Sequence, residues 1–147
     1  MSDGGREAKA LAKLIKVAVS KTDEFSARLE TLRGALASNE TALNMLSENI
    51  LEEANATKAA ETVGFVQLAG YLQGAEQKRA ALQETRAQLI GQAQAAETDL
   101  KAAWAELKKL EHLAERAVRS QERRRLRLEN AENDDLARMS AAARNRR

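Results

Sequence analysis

The chain contains no cysteine and no proline. Without cysteine there is neither a disulfide framework nor a thiolate metal site, and a reducing compartment is expected. A chain of 147 residues with ordinary composition carries roughly seven prolines. Proline removes a helix hydrogen bond and clashes with the preceding turn. Its absence excludes little by itself, but it suits long uninterrupted helices. Aromatic residues make up 3% of the chain, too few to fill a thick globular core. No apolar run approaches the roughly 18 residues that a membrane span requires. The opening Met1-Ser2-Asp3-Gly4-Gly5 lacks the apolar stretch of a secretory signal. A soluble cytoplasmic protein is therefore expected.

What is present is helix vocabulary. Alanine occurs 30 times, and 31% of residues are charged. Alanine, leucine, glutamate, lysine, arginine and glutamine dominate, all of them strong helix formers. Nine large apolar residues fall on one stripe: Leu11, Ile15, Phe25, Leu29, Leu32, Leu36, Leu43, Leu46 and Ile50. Their spacing alternates between four and three and continues through Ala18, Thr22 and Asn39. Such a stripe needs a second helix to cover it.

A second stripe starts at Leu68 and runs through Leu72, Ala75, Arg79, Leu82, Arg86, Leu89, Ala93, Ala96, Leu100, Ala103, Leu107, Leu110, Ala114, Ala117 and Gln121. It keeps the same alternation with a thinner, alanine-rich filling. A bulky stripe facing a small one lets two helices interdigitate closely. Large apolar residues are missing between Asn55 and Val63, which marks the reversal.

The fold class expected is all-α. Helix one spans about 6–55, the turn about 56–64 and helix two about 65–140, forming one antiparallel coiled-coil hairpin over 1–147. Heptads in both arms predict left-handed supercoiling. With the turn near residue 60, facing residue numbers sum to about 120. Leu11 then meets Leu110, Ile50 meets Gly70, and Arg79 lies near Glu40. Beyond roughly residue 120, helix two overhangs without a partner.

Chemistry finds little support. His112 is the sole histidine and sits on a helix beside Glu111 and Glu115. A catalytic base needs an orienting partner and a concave pocket, and a two-helix rod offers little concavity. One histidine without cysteine does not make the common zinc patterns. Paired acids such as Glu52-Glu53 and Asp134-Asp135 read as solvated faces or salt-bridge partners. The glycines follow no strand and form no phosphate cradle. No catalytic, metal or cofactor site is expected.

Two segments read as contact surfaces. Gly64, Gly70 and Gly74 cluster with Phe65, Tyr71 and Leu72. Either Leu72 belongs to the seam and the glycines loosen the helix near its turn, or the aromatics form a partner patch. Trp104 follows the seam residue Ala103 and is expected to cover the coiled-coil edge. From Arg119 onward nine arginines stand against five acids, with Arg123-Arg124-Arg125-Leu126-Arg127 at the extreme. That end reads as a solvated helix, a phosphate binder or a segment that enters an acidic protein cavity. Glu122, Glu129, Glu132 and Asp134 are interleaved with the arginines, and no aromatic stacking platform accompanies them. No nucleic-acid partner is expected.

The residues from Trp104 to Arg116, including Leu110-Glu111-His112-Leu113-Ala114-Glu115-Arg116, resemble a stretch in the second helix of the FliJ family. Members of that family form the coiled-coil stalk of the flagellar type III export ATPase. Glu132 to Ala137 is similar to the acidic Leu-Ala stretch near the family's end, and Phe65 to Leu82 to its aromatic-containing opening. The resemblance implies a non-enzymatic stalk whose terminal end enters a hexameric flagellar export ATPase. It also implies contacts with the cytoplasmic domain of the export gate and with export chaperones. Membrane association is expected only through that apparatus, on the cytoplasmic face of the inner membrane at the flagellar base. Carried onto this sequence, ring contact falls to Leu11, Leu14, Arg119, Arg123, Arg124, Arg127 and Arg138. Gate contact falls to Phe65, Tyr71 and Leu72, with Ala75 smaller than the residue common there. Competing readings are the stalk of a virulence-type secretion ATPase, a basic-helix nucleic-acid binder and a plain scaffold.

Overall fold

A computed structural model describes residues 3–58 and 62–146. Within them the chain forms two helices and no strand: α1 (Asp3–Thr57) and α2 (Thr62–Asn145). They pack side by side as the antiparallel hairpin expected from the two stripes. No described residue has positive φ, glycines included. Each helix runs past the sequence-based bounds. The absence of proline leaves nothing to stop α1 at Arg6 or α2 near residue 140. The reversal falls partly on residues 59–61, outside the described residues.

Two compact units make up the hairpin: a terminal unit, Met1–Lys21 with Ala103–Arg147, and a tip unit, Thr22–Ala102.

In the tip unit, bulk on α1 meets small residues on α2. Leu29 is 5% exposed, while Ala96 and Ala75 are buried on the opposing helix. Phe25, Leu32, Leu36, Leu43, Leu46 and Ile50 are half-buried along the same stripe. The small alanines let the backbones approach, so leucines from one side fill the seam. Arg28 lies 5.9 Å from the centroid of the Phe25 ring, at the outer limit of a cation–π contact. Thr31, Thr41 and Thr98 each donate a hydroxyl proton to the carbonyl four residues earlier, at 3.0 Å. That bond satisfies the hydroxyl within the helix at a small cost to helix stability. Thr57 does the same to Glu53 at 2.7 Å where α1 ends.

Polar groups cross this seam at two places. Asn39 donates through Nδ2 to the Leu82 carbonyl at 3.0 Å. Arg79 donates to the Ser47 hydroxyl at 3.2 Å. Ser47 thus takes the place expected for Glu40, because the register of the two helices is shifted by several residues from the one expected. The second stripe also departs from strict alternation. Tyr71 is half-buried in the place expected for Leu72, Leu72 is exposed, and Arg86 turns out to solvent.

In the terminal unit, Ala18 and Leu110 are buried, and Leu11, Ile15, Ala103, Leu107, Ala114 and Ala117 are half-buried. Gly4 lies against Gln121. Facing numbers that sum to 120 would have put Gly4 at Arg116, so the register sits about one turn further along α2. From Glu122 to Arg146 every residue is exposed. This stretch is the overhang, about 35 Å of single helix at 1.5 Å per residue. Among the described residues no helix is long and apolar enough to cross a membrane.

Candidate functional site

The overhang and the turns before it carry the basic surface. Arg119, Arg123, Arg124, Arg127 and Arg138 are all exposed. The interleaved acids do not neutralise them evenly. Glu122 accepts from Arg125 at 2.6 Å, and Glu129 accepts from the same guanidinium at 3.5 Å. The hydrogen bond to Glu122, then the negative fields of Glu122 and Glu129, push the Arg125 pKa above its ordinary value. Two acids thus serve one arginine. Glu115 lies 3.8 Å from Arg119. Among the described residues, Arg123, Arg124, Arg127 and Arg138 have no carboxylate within ion-pair distance.

Spacing organises these charges. Arg116, Arg119, Arg123 and Arg127 follow one another at intervals of three and four, so they share one side of α2. The seam residues Leu110, Ala117 and Gln121 occupy the other. His112, Arg116, Arg119, Ser120 and Arg123 border one shallow depression on that outer side. Arg116 is not among the ring contacts expected on sequence grounds, although its place four residues before Ser120 and seven before Arg123 is legible from periodicity alone.

Leu11 and Leu14, expected to join the basic end, have different fates. Leu11 is half-buried in the seam, whereas Leu14 is 51% exposed. Leu14 and Val17 border a groove with Ala18, Lys21, Ala103, Glu106 and Leu110. Val17 falls off the heptad stripe, so the sequence pattern gives it no mark. Trp104, expected to cover the seam edge, is 55% exposed instead. It lies on the same unit as Leu14 and the arginines. Leu14, Val17 and the basic row thus give the terminal unit both apolar and cationic surface.

In the tip unit the three aromatic-patch residues do not form one face. Phe65 and Leu72, seven residues apart, share a side of α2, and both are exposed. Tyr71 is turned about 100° away from Leu72. It lines a groove with Leu46, Asn49, Gly70, Gly74, Ala75 and Lys78. Gly70 and Gly74 flank Tyr71, and nothing stands within 4 Å of where their Cβ atoms would be.

Among the described residues no three histidine, cysteine, aspartate or glutamate side chains gather as metal ligands.

A sequence model of the family described as "Flagellar FliJ protein" matches residues 8–146. The chain belongs to the FliJ family. No curated protein and no solved structure matches it. The match takes in most of the seam of both units and the whole of the overhang from Glu122 to Arg146. FliJ is a non-catalytic component of flagellar type III export, and the two-helix hairpin of the described residues agrees with that family.

Proposed function

We propose that this FliJ-family chain is the stalk that links the hexameric flagellar export ATPase to the export gate and the export chaperones. The observation that carries this reading is the overhang. Past Gln121, α2 is exposed on every side. Its arginines Arg123, Arg124, Arg127 and Arg138 have no carboxylate within ion-pair distance among the described residues. A single charged helix can enter a ring pore too narrow for a wider domain. Arg119, together with Leu14, extends the same surface back onto the two-helix part.

A ring of identical subunits that surrounds one asymmetric helix meets it differently at each subunit. Any ring state that contacts the helix better is stabilised by that difference. In this way a non-enzymatic chain promotes ring assembly and nucleotide turnover in its partner. Phe65, Leu72 and the Tyr71 groove supply the gate-facing surface, and exposed apolar side chains beside glycines suit a protein partner. The chain works on the cytoplasmic face of the inner membrane at the flagellar base, held there by its partners.

The test is a pulldown and turnover assay with the purified export ATPase. Full-length chain is compared with a truncation after Gln121. Full-length protein should bind and raise turnover, and the truncation should do neither. Equal binding by both would place the ring contact elsewhere.

A further inference from the structure

A buried amide interrupts the leucines of the α1 seam. Asn39 is 7% exposed, between Leu36 and Leu43 on the stripe. Its Nδ2 donates to the Leu82 carbonyl at 3.0 Å, and its Oδ1 is buried with no hydrogen-bond partner. On α2 the stripe residue Arg86, one turn beyond Leu82, is exposed. In a regular helix the Arg86 amide bonds the same carbonyl that receives Asn39. Asn39 on one stripe and Arg86 on the other therefore fall in a single layer, apart from the layers of Thr22 and Arg79.

We infer that Asn39 and the Leu82–Arg86 turn form the layer that sets the register of the hairpin. Apart from the Arg79–Ser47 hydrogen bond, the rest of the tip-unit seam is permissive. Both stripes repeat every seven residues, and leucine against alanine recurs along them. Sliding α2 by one heptad would still bring apolar against apolar in most layers. It would also move Asn39 opposite Ala75–Arg79 or Leu89–Ala93, and Arg86 opposite a leucine of α1. One imperfect layer would become two. A polar side chain at one seam position fixes register in this way at a cost in stability. The buried, unpartnered Oδ1 is that cost, since an orphaned acceptor penalises the fold. This inference is independent of the stalk reading, because it concerns how the two helices find each other.

The natural absence of cysteine makes the test direct. Leu36→Cys is combined with Leu89→Cys for the native register, and with Leu82→Cys or Ala96→Cys for the registers one heptad away. Disulfide yields are read on the full chain with Asn39 intact and with Asn39→Leu. With Asn39, the native pair should dominate the slipped pairs about tenfold. With Asn39→Leu, the melting temperature should rise while slipped-pair yields increase at least threefold. Arg86→Leu should loosen the register in the same direction. If Asn39→Leu and Arg86→Leu both leave the ratio of native to slipped crosslinks unchanged, Asn39 is merely tolerated and the inference is overturned.

Discussion

A methyl group added to Gly4 would stand 2.5 Å from Nε2 of Gln121, with Cγ and Cδ of the same side chain at 3.2 and 3.3 Å. The glycine near the start of α1 is thus a place of close approach, where the last layer of the seam closes. Gly4→Ala offers a helix-propensity gain of roughly 1 kcal/mol. The displaced Gln121 should offset most of it, so the single change is expected to leave thermal unfolding nearly unmoved. In the Gln121→Ala background the clash is gone, and Gly4→Ala should then stabilise by about 1 kcal/mol. A double-mutant cycle by thermal melting reads the difference. Equal effects in both backgrounds would show that the contact carries no energy.

Gly34 and Gly91 give the contrasting case. Both are exposed, lie inside helices, and have nothing within 4 Å of where a Cβ atom would sit. With no strain and no neighbour, alanine only removes unfolded-state freedom. Gly34→Ala and Gly91→Ala are each expected to stabilise by about 1 kcal/mol, and additively. A denaturant melt checks this through a shifted midpoint with an unchanged slope.

Leu29 and Ala96 show how unevenly the seam is loaded. Leu29→Ala removes the most buried large side chain of the tip unit and should cost about 2–4 kcal/mol. Ala96 is 2% exposed in the seam, so Ala96→Leu should cost about 1–3 kcal/mol through overpacking. A surface change such as Gln77→Ala should stay within about 0.5 kcal/mol. If Ala96→Leu proves neutral, the helices are free to move apart, and the small-against-large account of the seam fails.

The fold was legible because α1 carries its pattern in bulky residues. All twelve positions of its stripe are buried or half-buried, from Leu11 to Ile50. The α2 stripe was harder, because alanine does not mark a buried face the way leucine does. At its start, Tyr71 and Leu72 are adjacent and both suit a seam. Choosing between them is a rotation of about 100° that only the facing helix decides. Register depends on where the chain reverses, and a turn placed a few residues off moves every facing pair, including Arg79 from Glu40 to Ser47. The basic end was visible as composition. The capture of Arg125 by both Glu122 and Glu129 required geometry, since sequence shows acids near arginines without showing which one they hold.

The groove beside Tyr71 allows stability and binding to be separated. Gly70→Ala and Gly74→Ala meet no neighbour and should stabilise α2 by about 1 kcal/mol each. The added methyl groups narrow the groove that Tyr71 lines, so any partner that uses that groove should bind less well to the more stable protein. Tyr71→Ala and Phe65→Ala should weaken capture of the export-gate cytoplasmic domain. Full gate binding by all four variants would remove the tip unit from the gate contact.

The overhang makes the sharpest demand on the proposed function, because its contribution to folding is small. Every residue from Glu122 to Arg146 is exposed, so removing that stretch uncovers no core. A truncation after Gln121 should therefore melt within a few degrees of the full chain while losing the ATPase. Arg123→Ala, Arg124→Ala and Arg127→Ala together should weaken ATPase binding by at least about tenfold, which is roughly 1.4 kcal/mol. Arg125→Ala should matter less, since Glu122 and Glu129 already hold that guanidinium. Binding by the full chain should also fall as salt rises, because exposed charges are screened over about 10 Å at 0.1 M. A salt-independent interaction, or a triple variant that binds as well as the natural chain, would shift the weight from the arginines to Leu14, Val17 and Trp104.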